Sequence, residues 1–361
     1  MMVLRLIAGW GSVGAFQIFG AGWLGGLADP MLAALLFAWL LGVIIWLAFG
    51  VVHEAEDLAH RLGEPYGTLI LTLSIVIIEV ALIAAVMLGA QEAPTLGRDT
   101  MFAVLMIVLN GVVGLGLLLG GQRHMEQSHN LRGAAAYLSV IIPLTIIALV
   151  LPNFTSSTPD GTLTGLQAGF FSLFTLVLYG IFILLQTGRH RGHFMDAEEE
   201  AENAPPAPPP QGSTWPHLAL LLANILPIVI LAKSLAKVLD YGIAVLGAPP
   251  ALGGVLIAMV VFTPEGISAL RAITANQLTR AVNLCLGAAT STLGLTVPAV
   301  LVIGLATGQP VVLGLAPAGM VVLVTTLILS ALTFSRPRTT TLEGAVHLTL
   351  FAVFLVLIFS P

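Results

Sequence analysis

Charge is what this chain has least of. Lys, Arg, Asp and Glu together make up 9% of its 361 residues, against about a quarter in soluble domains. So little charge cannot clothe a water-facing surface, which excludes a soluble globular protein. The 13 basic residues are outnumbered by 18 acidic ones and form no basic face, which excludes a nucleic-acid partner. A single cysteine, Cys285, excludes an intrachain disulfide. Short segments of alternating polarity are also missing, which excludes a transmembrane β-barrel.

What the chain has instead is long apolar runs: 57% of its residues are hydrophobic, with a mean hydropathy of +1.01. Runs near twenty residues span a bilayer as helices, because only a helix satisfies its backbone internally in hydrocarbon. The expected fold class is an all-α polytopic membrane protein with about eleven transmembrane helices. The expected spans are 7–25, 31–52, 66–89, 100–121, 135–152, 165–186, 216–238, 250–273, 281–305, 310–334 and 343–360. The first, with Arg5 and a Gly-rich body, also reads as a signal peptide, but its length and the interfacial Trp10 and Trp23 favour a retained helix.

Placing the basic residues on alternate sides of these spans puts ten on one side and three, Arg98, Lys233 and Lys237, on the other. Basic residues concentrate on the cytoplasmic side. The amino terminus is therefore expected in the cytoplasm and the carboxyl terminus outside. The run Asp196–Glu202 and the proline-rich stretch to residue 210 read as a solvated cytoplasmic linker, with calcium-binding regulation as the alternative. The linker, residues 187–215, separates a first half, 31–186, from a second, 216–361, and leaves 1–30 as an extra amino-terminal helix. Five spans per half, an odd number, insert the halves in opposite orientation, the inverted-repeat plan of secondary transporters.

Each half carries one carboxylate deep in an apolar run. Glu79 follows Gly67 by twelve residues, and Glu265 follows Gly253 by the same twelve. A charged group at such depth is costly and marks a functional site. Thr68, Thr72, Ile75 and Glu79 share one helical face, which lines two hydroxyls up with the carboxylate. In the second half the matching face is small, and Pro264 removes the N–H that would pair with the Val260 carbonyl. A carbonyl beside a carboxylate suits a hard cation such as calcium. Two carboxylates brought together bind protons or a cation in competition, which is the basis of cation/proton exchange. Asn110, Thr290 and Ser291 occupy comparable places in the spans after the two glutamates, where site lining and helix packing are both open readings.

The segment 53–65 is the densest titratable cluster. Glu54, Glu56, Asp57 and Glu64 there form a candidate entry vestibule, with an ordinary solvated loop as the alternative. His53-Glu54 also begins like a zinc-protease His-Glu-x-x-His helix, but position 57 is Asp and the second ligand is missing.

The block from His53 to Glu79, Arg98-Asp-Thr, Thr263–Ile273 and Leu286–Thr292 resemble the calcium/cation antiporter superfamily, in its bacterial calcium/proton and sodium-potassium/proton antiporter branch. The resemblance implies two inverted five-helix repeats, an extra amino-terminal helix, and an ion site with one glutamate from each repeat. Glu79 and Glu265 match those positions. Other members carry Gly-Asn-x-x-Glu, whereas Val76-Ile-Ile and Phe262-Thr-Pro precede the glutamates here. The missing amides leave sodium and potassium open beside calcium. The expectation is a secondary active cation/proton antiporter of the bacterial cytoplasmic membrane, not an enzyme, most directly a calcium/proton exchanger. Its partners are inorganic cations, protons and the lipid bilayer, with no cofactor. A sodium or potassium/proton antiporter is the alternative. A channel and an intramembrane hydrolase are more remote, since neither a pore filter nor a full ligand set is visible. The first helices of the two halves are candidates for the moving pair.

Overall fold

The computed structural model describes residues 2–62, 66–88, 94–158, 161–195 and 213–360, without the side chains of 66–68. Thr68 as a side chain, Glu64 and the acidic run of the linker lie outside the described residues.

Among the described residues, eleven helices are long and apolar enough to cross a membrane. They are α1 (Met2–Gly25), α2 (Pro30–Leu62), α3 (Tyr66–Met87), α4 (Leu96–His124), α5 (Leu131–Phe154), α6 (Gly165–Thr187), α7 (Trp215–Leu246), α8 (Ala251–Thr274), α9 (Leu278–Thr307), α10 (Pro317–Phe334) and α11 (Thr341–Phe359). Polar residues set several starts. Thr164 and Gln167 form a reciprocal capping box at α6, Thr340 and Glu343 another at α11, and the Asn130 side chain accepts from the Arg132 N–H at α5.

Three boundaries differ from hydropathy. α2 runs on through the charged segment to Leu62, because Glu, Ala, Leu and Arg are good helix formers and Val51, Ala55 and Leu58 continue its buried stripe. α7 continues to Leu246 through Lys233, Lys237 and Asp240. α10 starts only at Pro317: residues 309–316 are not helical, and their backbone finds partners elsewhere. The Leu313 and Gly314 N–H groups donate to Gly161 O at 3.0 Å, and Leu315 N–H donates to Leu149 O at 2.9 Å.

The chain divides into two compact units, one of Met1–Leu96 with Pro209–Pro264, the other of Gly97–Pro208 with Glu265–Pro361. In the first unit α2 and α7 pack along their length, with α1 and α3 against them. α1 is tied in by polar contacts: Arg5 Nε donates to Asn224 Oδ1 at 3.1 Å, Trp10 Nε1 to Ala223 O at 3.1 Å, and Trp39 Nε1 to Ser12 Oγ at 3.0 Å. The Arg5 guanidinium and the Asn224 amide lie over Gly50, where a Cβ would stand 2.3 Å from Arg5 Nε. At the other end of the α2/α7 pair, Pro30, Ala33, Val245 and Leu246 help line an apolar cavity of about 320 Å³.

In the second unit α4 packs on α11 and α9 on α5 and α6. Three loops gather at one end. Two residues after α4, β1 (Gln127–Ser128), pair antiparallel with β2 (Arg338–Thr339), while Gln127 Nε2 donates to Ile273 O at 2.8 Å and Asn276 Oδ1 at 3.0 Å. The span count places these three loops on one side, and the structure agrees. Residues 191–194 make a 3-10 turn held to this end: Asn283 Nδ2 donates to Phe194 O at 2.6 Å, and Asn130 Nδ2 to Gly192 O at 3.1 Å.

Candidate functional site

Glu79 is 1% exposed in α3, on a helix whose Ile75, Val76 and Ile78 are buried with it. Thr72, two turns earlier on the same face, is half-buried. Ser74, also buried, turns its hydroxyl back onto Ile70 O at 2.6 Å. Between Leu69 and Met87, Thr72, Ser74 and Glu79 are the polar residues of an otherwise apolar helix.

Glu265 is 8% exposed in α8. Pro264 lies inside the helix and is buried. Lacking an N–H, it leaves the carbonyl of Val260, itself 2% exposed, without the usual helical donor. Thr263 adds to the local rearrangement, its hydroxyl donating to Met259 O. Across from α8, Cys285 on α9 is buried within electrostatic reach of the Glu265 carboxylate.

Thr290 and Ser291 follow on α9, 0% and 5% exposed. Their hydroxyls donate to Leu286 O at 2.7 Å and Ala288 O at 2.9 Å, which leaves the oxygen lone pairs as what they can offer. Immediately after them α9 widens into a π-helical segment, Thr292–Thr296. α4 does the same at Ile107–Val112, around Asn110. These are the spans that follow the two glutamate spans. π segments loosen the regular ladder and are frequent at functional positions.

Asn110 is fully buried, and its amide joins a network that the sequence reading missed. Its Nδ2 donates to Thr326 Oγ1 at 2.7 Å, and its Oδ1 faces His347 Nδ1 at 3.0 Å; His347 Nε2 lies 3.1 Å from Thr333 Oγ1. A neutral imidazole protonated on Nδ1 satisfies both side-chain contacts, since Nδ1–H donates to the amide oxygen and the threonine hydroxyl donates to Nε2. The signal was available: His347 is a polar side chain inside the last apolar run.

The candidate vestibule is helical. Glu54 is 2% exposed, with Glu56 and Asp57 half-exposed on the same last turns of α2. His217, at the start of α7, places Nδ1 3.0 Å from Glu54 Oε2 and 3.6 Å from Asp57 Oδ2. The structure therefore gathers Glu54 and Asp57 around a histidine that no local motif announced, 163 residues away from Glu54.

Eleven helices able to cross a membrane, two of them carrying a buried carboxylate, define the class as a multi-pass membrane protein. Residues 32–188 and 216–360 match the family described as sodium/calcium exchanger protein, and the chain belongs to that family. It consists of transporters and not enzymes. The chain is 42% identical over 321 residues to y4hA of Sinorhizobium fredii, named as an ionic transporter, covering 89% of this chain and 87% of the relative. It is 40% identical over 335 residues to the sodium-potassium/proton antiporter ChaA of Escherichia coli, covering 92% and 90%. Among solved structures, native YfkE superposes with a TM-score of 0.74 at 18% identity, covering 100% of both chains.

Proposed function

We propose that the chain is a proton-coupled cation antiporter of the bacterial cytoplasmic membrane, in which Glu79 and Glu265 together take either protons or the outgoing cation. The observation that carries this reading is the burial of both carboxylates, 1% and 8% exposed, at matched positions of two membrane helices in an exchanger-family chain. Paired carboxylates in a low-dielectric site hold protons more tightly, and a cation neutralises the same charge. Loading is then mutually exclusive, which couples the two fluxes. Thr72, Thr290, Ser291 and the Val260 carbonyl beside Pro264 supply neutral oxygen ligands, and the Asn110 network holds its π segment in place.

The two halves, 31–186 and 216–361, act as inverted repeats, with 1–30 as an extra helix and 187–215 as a cytoplasmic linker. The amino terminus faces the cytoplasm and the carboxyl terminus the outside. The α2/α7 pair moves to expose the site to alternate sides.

Calcium is the first cargo, because two carboxylates match a divalent charge. A specific observation favours a second reading, sodium or potassium. The relative named a sodium-potassium/proton antiporter is 40% identical, whereas one named a Ca(2+)/H(+) antiporter, from Aphanothece halophytica, is 23% identical over 265 residues. Proton release from acid-loaded everted vesicles, followed with a pH-sensitive dye on separate additions of calcium, sodium and potassium, selects between them. Glu79→Gln and Glu265→Gln are each expected to abolish the response to every cation. Exchange at the wild-type rate in either variant would refute the site.

A further inference from the structure

Glu54, Asp57 and His217 lie within the first unit, where the last turns of α2 meet the start of α7, apart from the residues assigned to exchange at Glu79 and Glu265. Their ligand atoms all fall within 4.8 Å of one another. Two carboxylate oxygens converge on a single imidazole nitrogen, at 3.0 and 3.6 Å. One N–H can be aimed at only one of them, so the three groups have more acceptors than protons to share. A cation in their midst satisfies all three. Donors each about 2.1 Å from one ion stand roughly 3 to 4 Å apart, so the observed spacing needs only a small contraction. We propose that Glu54, Asp57 and His217 form a second cation site, for one divalent transition cation such as Mn²⁺ or Zn²⁺, that fastens α2 to α7.

The donor set argues for that class of ion. An imidazole nitrogen suits zinc and its neighbours, carboxylates suit manganese, and calcium or sodium would seek oxygens alone. The site is also braced. One turn before Glu54 is Gly50, and over it sits the Arg5–Asn224 hydrogen bond, with Asn224 two turns after His217 on α7. α1, α2 and α7 are thus locked together directly behind the ligands, which fixes their approach. Access comes through Asp57, whose side chain is 39% exposed, while that of Glu54 is 3% exposed. His53 Nε2, 3.9 Å from Asp57 Oδ2, lies on the solvent side.

The test is Mn²⁺ binding to the full-length protein in detergent, read as loss of the free Mn²⁺ signal in electron paramagnetic resonance. Glu79→Gln/Glu265→Gln protein is used so that the exchange site does not contribute. One Mn²⁺ per chain is expected to bind, with affinity reduced at least about tenfold by Glu54→Gln or His217→Ala. His217→Cys keeps a donor in place and is expected to weaken Mn²⁺ and strengthen Cd²⁺, the softer ion. The proposal is overturned if the double-glutamine protein binds no Mn²⁺, if Glu54→Gln and His217→Ala leave the affinity unchanged, or if His217→Cys does not change the preference between the two ions.

Discussion

Gly344→Ala is the smallest change that should break the second unit, because α4 and α11 touch there backbone to backbone. A Cβ at Gly344 would stand 2.4 Å from Leu118 N, 2.8 Å from Gly114 O and 3.0 Å from Leu117 C, where ordinary contact begins at 3.4 Å. None of these atoms belongs to a flexible side chain, so the helices must separate by about 1 Å, the difference between 2.4 and 3.4 Å. His347 lies three residues further along α11, and its contact to Asn110 on α4 at 3.0 Å would lengthen to about 4 Å, beyond hydrogen bonding. Overpacking costs about 1 to 3 kcal/mol, and each buried polar group left without its partner about 1 to 3 kcal/mol more. A loss of about 3 kcal/mol or more is expected in unfolding from mixed detergent micelles. Gly42→Ala is the control: nothing lies within 4 Å of its Cβ, and alanine gains about 0.5 to 1 kcal/mol in a helix interior. Asn110→Leu combined with Gly344→Ala should be less damaging than the two losses added, since both break one network. If Gly344→Ala unfolds like Gly42→Ala, the close approach of α4 and α11 and the network hung on it are wrong.

Other expectations follow from single residues. Pro264→Ala restores an N–H beneath the Val260 carbonyl; stability in micelles should hold or rise while exchange slows, and wild-type exchange would remove the carbonyl from the ion site. Burial of His129, in the loop after α4, lowers its pKa from 6.5, against the opposing bond to Phe334 O at 3.4 Å. Below about 6.5 the unfolded chain therefore takes up a proton that the folded chain resists, so stability should fall as pH drops from 6.5 towards the lowered folded value. His129→Gln should flatten that part of the profile, and an unchanged slope would assign it to another group.

The eleven spans were legible because hydrocarbon demands long apolar helices, and hydropathy measures that demand directly. Glu79 and Glu265 were legible for the converse reason, as single charges where the medium penalises them. His347 obeys the same rule, as a polar side chain inside the last apolar run. His217 was out of reach in principle: its significance lies in Glu54, which the fold brings to it from a distant helix. The π segments at Ile107–Val112 and Thr292–Thr296 were equally hidden, since an extra residue in one turn leaves the apolar pattern intact. Hydropathy also ended α2 at its first charges, although helix propensity and the stripe of Val51, Ala55 and Leu58 carry it three turns further.

That overrun has a mechanical meaning. A 33-residue α2 and a 32-residue α7 are each about 50 Å long at 1.5 Å per residue, some 20 Å more than the hydrocarbon they must cross. Running side by side, they overrun at opposite ends, α2 past His53 and α7 past Val238, and the proposed ligands Glu54, Asp57 and His217 lie at the end where α2 overruns. A cation held there would join the overrunning end of α2 to the first turn of α7 and so tie the pair at one end alone.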